Sequence, residues 1–184
     1  MSSVVDKPSR RWTYEAYSRL EDDQRYEIIQ GELLMAPAPD TWHQDWLNSL
    51  NLVITPFVRR NRLGRVFISP IDVVLDEENI VQPDIVFVAA DGERIIQRRA
   101  IFGVPDLLVE LVSPSSVRRD RYEKRELYAR FGVREYWIGD PANRSLEILT
   151  LQDGQYALHC AAEEKGRVNS LVVPGLEFDL AEAK

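Results

Sequence analysis

The chain has 184 residues, and its 23 Lys and Arg against 30 Asp and Glu give a formal net charge of −7, which excludes a histone-like basic binder. With 45% hydrophobic and 29% charged residues it has the balance of one globular domain with its own core, not of a stapled miniprotein or a disordered tail. A single cysteine, Cys160, excludes an intrachain disulfide and a structural zinc set, and reads as a buried apolar thiol in a reducing compartment.

No apolar run approaches the roughly 18 residues of a membrane span, and the N-terminus lacks the basic-then-apolar order of a secretory signal, so the expected location is the cytoplasm. Residues 1–12 are polar, with Pro8 and three basic residues, and read as a flexible arm ahead of a single domain over residues 13–184. Thr13 is placed to cap a helix running to about Leu20. Two short strands, from Arg25 to Gln30 and from Glu32 to Met35, flank Gly31 as a hairpin. A loop from Pro37 to Asp40 leads into a helix from Thr41 to Arg60, whose stripe of Trp46, Leu47, Leu50, Val53, Ile54, Phe57 and Val58 buries one face; Pro56 is expected to kink it. Beyond Gly64 the pattern predicts three strands, Arg65 to Ile68, Ile71 to Leu75 and Asp84 to Val88, sitting together as a meander.

A charged stretch from Asp91 to Phe102 reads as loop with some helix, and the run from Pro105 to Val112 as the central strand. Ser113, Pro114, Ser115 and Ser116 cap a helix from about Val117 to Phe131, closed by Gly132, and a strand from Glu135 to Gly139 follows. Strand, helix, strand at this spacing predicts a parallel crossover. Ser145 to Leu151 and Gln155 to Cys160 alternate around Asp153-Gly154 as a second hairpin, and a short apolar segment lies near Leu176 to Leu180. The fold class is therefore α+β with a mixed sheet.

Most catalytic fingerprints are missing: there is no GxxxxGK[ST], no GxGxxG after a strand, no HExxH and no GxSxG, which argues against P-loop and serine-esterase chemistry. The two histidines, His43 and His159, are far apart and need partners from elsewhere to make a metal site; His43, at a helix start, reads first as a capping or surface residue and otherwise as support for a site. One acid stands out. Glu110 lies inside an apolar strand, where an unpaired carboxylate costs several kcal/mol unless a cation or donor meets it. Asp84 opens another apolar strand. Two carboxylates aimed at one point repel each other, and a hard divalent ion such as Mg²⁺ relieves the repulsion. Asp106, at a strand end, reads first as a turn cap or surface ion pair and otherwise as support for the site. Asp120, Lys124 and Tyr128 share one helix face at i, i+4 and i+8.

The series Tyr26 to Glu32, Gln82-Pro83-Asp84, Pro105 to Ser115, Lys124, Tyr128 and Gly132 to Trp137 resembles the bacterial restriction-endonuclease family of the Uma-two type, within the PD-(D/E)XK nuclease superfamily; the likeness runs from about Thr13 to Leu180. It implies a restriction-endonuclease-like core, a central mixed β-sheet flanked by helices, with an extra C-terminal β-hairpin. It further implies that Asp84 and Glu110 bind Mg²⁺, or Mn²⁺ in its place, with the Leu111 carbonyl as an extra ligand, and that Glu32 or Glu27 is the upstream acid, Glu32 being favoured because it follows the turn. The superfamily lysine, two residues after the second acid, is replaced by Val112, which alternation puts on the face of Glu110. Lys124 on the next helix is the natural replacement, and Tyr128 either orients it or packs beside Leu127 and Phe131. The implied activity is hydrolysis of DNA phosphodiester bonds to 5′-phosphate ends, with duplex DNA as partner and a homodimer as assembly. Arg118, Arg119, Arg121 and Arg125 form a basic cluster able to touch DNA or to remain a solvated face. Two alternatives stay open: a nuclease-fold binding module without turnover, and a hydrolase of a smaller phosphate ester.

Overall fold

The computed structural model describes residues 11–183 apart from 23, 37, 114 and 115. Of the arm predicted for residues 1–12, Trp12 is seated on the first hairpin, its amide donating to the Gly31 carbonyl, and Arg11 pairs with Glu78 at 2.7 Å. Thr13 caps a single helical turn, α1 (Tyr14–Tyr17), shorter than expected. Strands β1 (Tyr26–Ile29) and β2 (Glu32–Met35) turn through Gln30 and Gly31, both at positive φ (54° and 78°), the mirror-image turn that suits a two-residue hairpin. Helix α2 (Thr41–Asn61) is capped by the Asp40 carboxylate, which accepts from the His43 amide, and it runs on through Pro56.

Strand β3 (Gly64–Ile68) pairs not with the next segment but with β6 (Ile85–Ala89). Between them β4 (Val73–Asp76) and β5 (Asn79–Val81) form a hairpin that leaves for another sheet, so the predicted three-strand meander is corrected. Pairing between distant segments, which local alternation does not encode, decides the partition. Strand β7 (Ile101–Phe102) joins β4 in parallel. Next come β8 (Leu107–Leu111), a π-helical turn (Arg119–Lys124) continued by α3 (Arg125–Phe131), and β9 (Glu135–Asp140) parallel to β8. Strands β10 (Ser145–Gln152) and β11 (Gln155–Glu163) make the predicted hairpin, with Asp153 and Gly154 at positive φ, and β12 (Arg167–Asn169) pairs with β13 (Glu177–Asp179).

The main sheet has the order β11-β10-β9-β8-β6-β3, and a smaller one runs β2-β1-β5-β4-β7. Period-two alternation along β8 sends Leu107, Val109 and Leu111 to one face and Leu108 to the other. On the first face α2 lays Trp46, Leu47, Leu50, Ile54 and Val58 against Ile85, Phe87 and Trp137. On the second, Leu127 and Tyr128 of α3 meet Leu108, Val112 and Tyr136, and the smaller sheet adds Ile29, Val73 and Val81. At Gly139 a Cβ would stand 2.5 Å from both Trp46 and Leu111, so α2 rests directly on the backbone of β9. Cys160 is half-buried rather than buried, its thiol donating to the Asn169 carbonyl. Among the described residues no helix is long and apolar enough to cross a membrane.

Candidate active site

The strand partition carries four acids to one place. Ile85 pairs with Val109 across β6 and β8, so one step further the antiparallel register sets Asp84 opposite Glu110. Glu27 reaches the same region from the smaller sheet, and Asp120 and Lys124 enter from the π-helical turn; all five side chains are buried. Lys124 Nζ lies 2.8 Å from Glu27 Oε1, 2.8 Å from Glu110 Oε1 and 3.7 Å from Asp120 Oδ1. Tyr128 donates its hydroxyl to Glu110 Oε1 at 2.7 Å, so its ring packs in the core while its oxygen serves the acid. Asp84 Oδ2 accepts from the Leu111 amide at 2.7 Å and lies 3.1 Å from His43 Nε2.

Of Glu27 and Glu32, only Glu27 is brought to this cluster. Ile29 pairs with Glu32 and Glu27 with Leu34, so all four side chains share a face, but Glu32 sits two strand positions nearer the hairpin tip, a displacement of about 7 Å, and is exposed. His43 is corrected as well. It is neither cap nor surface: Asp40 does the capping, and the imidazole is buried against Asp84. Asp106 is not brought to the site. It lies ahead of the far end of β8, accepting from the Ala89 amide at 2.6 Å and from Arg134 at 2.5 Å.

The arginine cluster divides. Arg118 is the exposed member, 3.7 Å from Glu123, whereas Arg121 pairs with Glu147 at 2.6 Å and Arg125 donates to the Tyr156 carbonyl at 2.9 Å. Those two brace the β10–β11 hairpin. Arg119 alone turns to the acids, 3.8 Å from Glu27 Oε2. Val112 is buried in the apolar cluster with Leu108 and Tyr128, on the face that alternation assigns to Glu110. Gln82 was not singled out beyond the motif, yet its amide donates to Glu27 Oε1 at 2.8 Å while its side chain bonds Asp72, Tyr17 and Arg25; its polar side chain beside Pro83-Asp84 was the available signal.

Electrostatics follow from burial and from an imbalance of charge. Burial drives the Glu110 carboxyl well above the ordinary carboxylate range despite the pull of Lys124, and likewise raises Asp120. Burial works against the Lys124 ammonium, but Glu110, Glu27 and Asp120 together hold its pKa well above that of a free lysine. Burial, then the charge on Glu110, pushes the Tyr128 phenol up. For His43, burial favours the neutral ring, but the hydrogen bond and charge of Asp84, with Asp40 and the Leu111 main chain, raise its pKa overall.

Among the described residues no three His, Cys, Asp or Glu side chains stand together as a ready metal-ligand set. The chemistry of the donors nonetheless suits a hard divalent ion. Hydrogen bonds to Oδ2 of Asp84 and Oε1 of Glu110 hold both carboxylates in place. Four buried acids outnumber the one buried lysine, and Mg²⁺ commonly keeps several waters and takes only one or two carboxylates from a protein.

A mixed sheet covered by helices, with acids converging at the end of its central strands, defines the restriction-endonuclease-like class of folds. The structure superposes on a crystal structure described as a "putative nuclease" from Anabaena variabilis with a TM-score of 0.76 and 18% identity, covering 93% of this chain and 96% of that one. No curated protein sequence matches the chain. The family described as "Putative restriction endonuclease", Uma2, matches residues 13–181, and the chain belongs to that family.

Proposed function

We propose that this protein is a metal-dependent endonuclease that hydrolyses phosphodiester bonds of duplex DNA and leaves 5′-phosphate ends. The observation that carries the reading is Lys124 Nζ bridging Glu27 and Glu110 at 2.8 Å each, beside Asp84. This cation, delivered by the helix after β8, meets Glu110 from a different element than the residue two positions on, Val112, and so can do the work of the absent strand lysine. Held protonated by its acids, Lys124 offers a fixed positive charge to the phosphate oxygens as charge grows on them, in a buried setting where such interactions are strong. Tyr128 fixes the orientation of Glu110, and Glu27 with the Gln82 amide fixes that of Lys124. Mg²⁺, or Mn²⁺ in its place, would be held by Asp84 and Glu110 with the Leu111 carbonyl and would supply Lewis-acid polarisation of the phosphate and acidity to a water. Arg119, turned toward Glu27, and Arg118, exposed beside Glu123, are the members of the basic cluster that would follow a DNA backbone. The reading places the protein in the cytoplasm and, for breaks in both strands, as a homodimer.

The test is cleavage of supercoiled plasmid in Mg²⁺ or Mn²⁺, with an EDTA control, by wild type and by Asp84→Ala, Glu110→Ala and Lys124→Ala. The expected result is nicking or linearisation by wild type that EDTA and each substitution abolish; Asp84→Ala cleaving as fast as wild type overturns the site. A second reading, a nuclease-fold module that binds DNA without turnover, draws on one observation: Val112, where the superfamily has its lysine, is sealed in the apolar core. Metal-dependent DNA binding by folded wild type with no cleavage would select it.

A further inference from the structure

We propose that the cavity between α1 and the smaller sheet is a recognition site for a guanine ring, supplied by a base of the DNA substrate or by a free guanine nucleotide. Binding of the ring is read from the cavity itself, and its link to cleavage rests on the nuclease reading above.

The cavity has a volume of about 240 Å³, below the range of drug-sized ligands and suited to one flat heterocycle. Alternation along β1 sends Glu27 toward the buried acids and Tyr26 and Ile28 to the reverse face, where α1 packs Tyr14 and Tyr17 beside Ile28. Tyr14, Tyr17 and Tyr26 line the cavity together with Asp22, Asp72 and Arg99. Both acids are held in place by the protein. Asp72 Oδ1 accepts from the Tyr17 hydroxyl at 3.2 Å and from Gln82 Nε2 at 2.8 Å, and Asp22 accepts from the Tyr26 hydroxyl and the Gln24 amide, each at 3.0 Å. Burial, then the charge of Asp72, pushes the Tyr17 phenol up to about 12, so at neutral pH the phenol donates and Asp72 accepts. Arg99 is exposed at the rim.

An occupant must therefore offer N–H donors to carboxylates, an acceptor to a guanidinium and a flat face to phenol rings. Guanine offers all three. Its N1–H and 2-amino group stand side by side, as a carboxylate takes two donors, and O6 and N7 on the next edge are the usual partners of arginine; its face stacks on aromatic side chains. Adenine turns an acceptor, N1, toward the same carboxylate, thymine has one N–H between two carbonyls, and cytosine has no second donor beside its amino group. The cavity also adjoins the catalytic cluster through a single residue, since Gln82 bonds Asp72 with its side chain and Glu27 Oε1 with its amide. A base seated here is one glutamine away from a partner of Lys124.

The experiment titrates the full chain with dGMP, dAMP, dCMP and TMP by calorimetry and saturation-transfer NMR, then with two altered probes, dIMP, which lacks the 2-amino group, and 7-deaza-dGMP, which lacks N7. The expected result is that dGMP binds best, and that dIMP on wild type and dGMP on Asp72→Asn each bind about tenfold more weakly, the weight of one hydrogen bond to a charged group. Arg99→Ala should weaken dGMP and erase its advantage over 7-deaza-dGMP. Circular dichroism reports the fold of each variant, and the exposed Arg99 keeps the test open if Asp72→Asn fails to fold. Equal binding of the four nucleotides, or of dIMP and dGMP, overturns the proposal. Sequencing of plasmid cut ends separates the two sources: a guanine at a fixed offset from the cut, lost in Arg99→Ala, identifies the substrate base, whereas dGMP binding with cuts indifferent to sequence identifies the free nucleotide. Selective dGMP binding by a chain that cleaves nothing supports the site and removes the nuclease. Cleavage with neither dGMP binding nor guanine at the cut overturns the site and leaves the nuclease; no cleavage and no dGMP binding overturns both.

Discussion

Two buried glutamates on neighbouring parallel strands have opposite surroundings. Glu135, at the start of β9, is fully buried and takes neutral donors on both oxygens: Trp137 Nε1 and Ser170 Oγ at 2.7 Å on Oε1, and the amides of Leu171 and Val172 at 2.7 and 3.3 Å on Oε2. Glu110, near the end of β8, takes a lysine ammonium and a tyrosine hydroxyl on one oxygen, with three further acids in its neighbourhood. The first is a structural clamp that fastens residues 170–172 to the sheet, since main-chain donors cannot leave. The second is held by a long side chain able to exchange partners and by a charge balance that is not closed. Burial of an acid is thus common to both, and the character of its donors separates architecture from chemistry.

Glu110→Gln should break the comparison most sharply: plasmid cleavage is expected to fall by about 10³-fold or more, equivalent to about 4 kcal/mol of barrier, while the thermal midpoint holds or rises, because a buried excess charge is gone. Lys124→Met leaves Glu27, Glu110 and Asp120 without their shared cation and should cost about 3–5 kcal/mol in urea unfolding, the usual result of stripping one partner from a buried ion cluster. Glu135→Gln turns one acceptor into a donor facing donors; a loss of about 1–3 kcal/mol is expected, with cleavage per folded molecule unchanged, and a cleavage defect equal to that of Glu110→Gln would erase the distinction. Asp120→Asn gives the smallest effect. Its carboxyl is raised above the ordinary value by burial, so the folded chain holds a proton that the unfolded chain releases from about pH 3.9 upward. Wild-type stability should fall as pH climbs through that interval and then level off. Urea midpoints of Asp120→Asn should fall less over that interval, the raised Glu110 carboxyl being common to both chains, so its advantage over wild type grows from acid to neutral pH.

Local features were legible in the sequence where local rules decide. Gly31 and Asp153-Gly154 turn their hairpins as expected, the apolar stripe from Trp46 to Val58 makes α2, and the strand, helix, strand unit around Lys124 is parallel. Asp120, Lys124 and Tyr128 do share a face, aimed at Glu110 and its neighbours. What was not legible depends on distant pairing. The three residues of β5 were missed, and with them the exit of β4 into a second sheet. Glu32 looked better placed than Glu27 because nearness to a turn is visible in a sequence, while the position of a hairpin tip relative to a helix is not. Arg121 and Arg125 looked like a free basic surface because their partners, Glu147 and the Tyr156 carbonyl, arrive from strands some 30 residues later. His43 looked peripheral for the same reason, its partner lying 41 residues away.

Gly139 gives that last contact its tolerance. Trp46 stands one helical turn after His43, and a single methyl group at position 139 would meet both Trp46 and Leu111 at 2.5 Å. Leu111 in turn donates its amide to Asp84. One bare Cα therefore works as the datum from which both sides of the His43–Asp84 gap are measured, and anything larger there would act as a wedge that shifts helix and strand end together. A position remote from any substrate thus sets the gauge of the site, and a chain that had drifted to alanine there could keep its sheet, its acids and its lysine and still have them out of alignment.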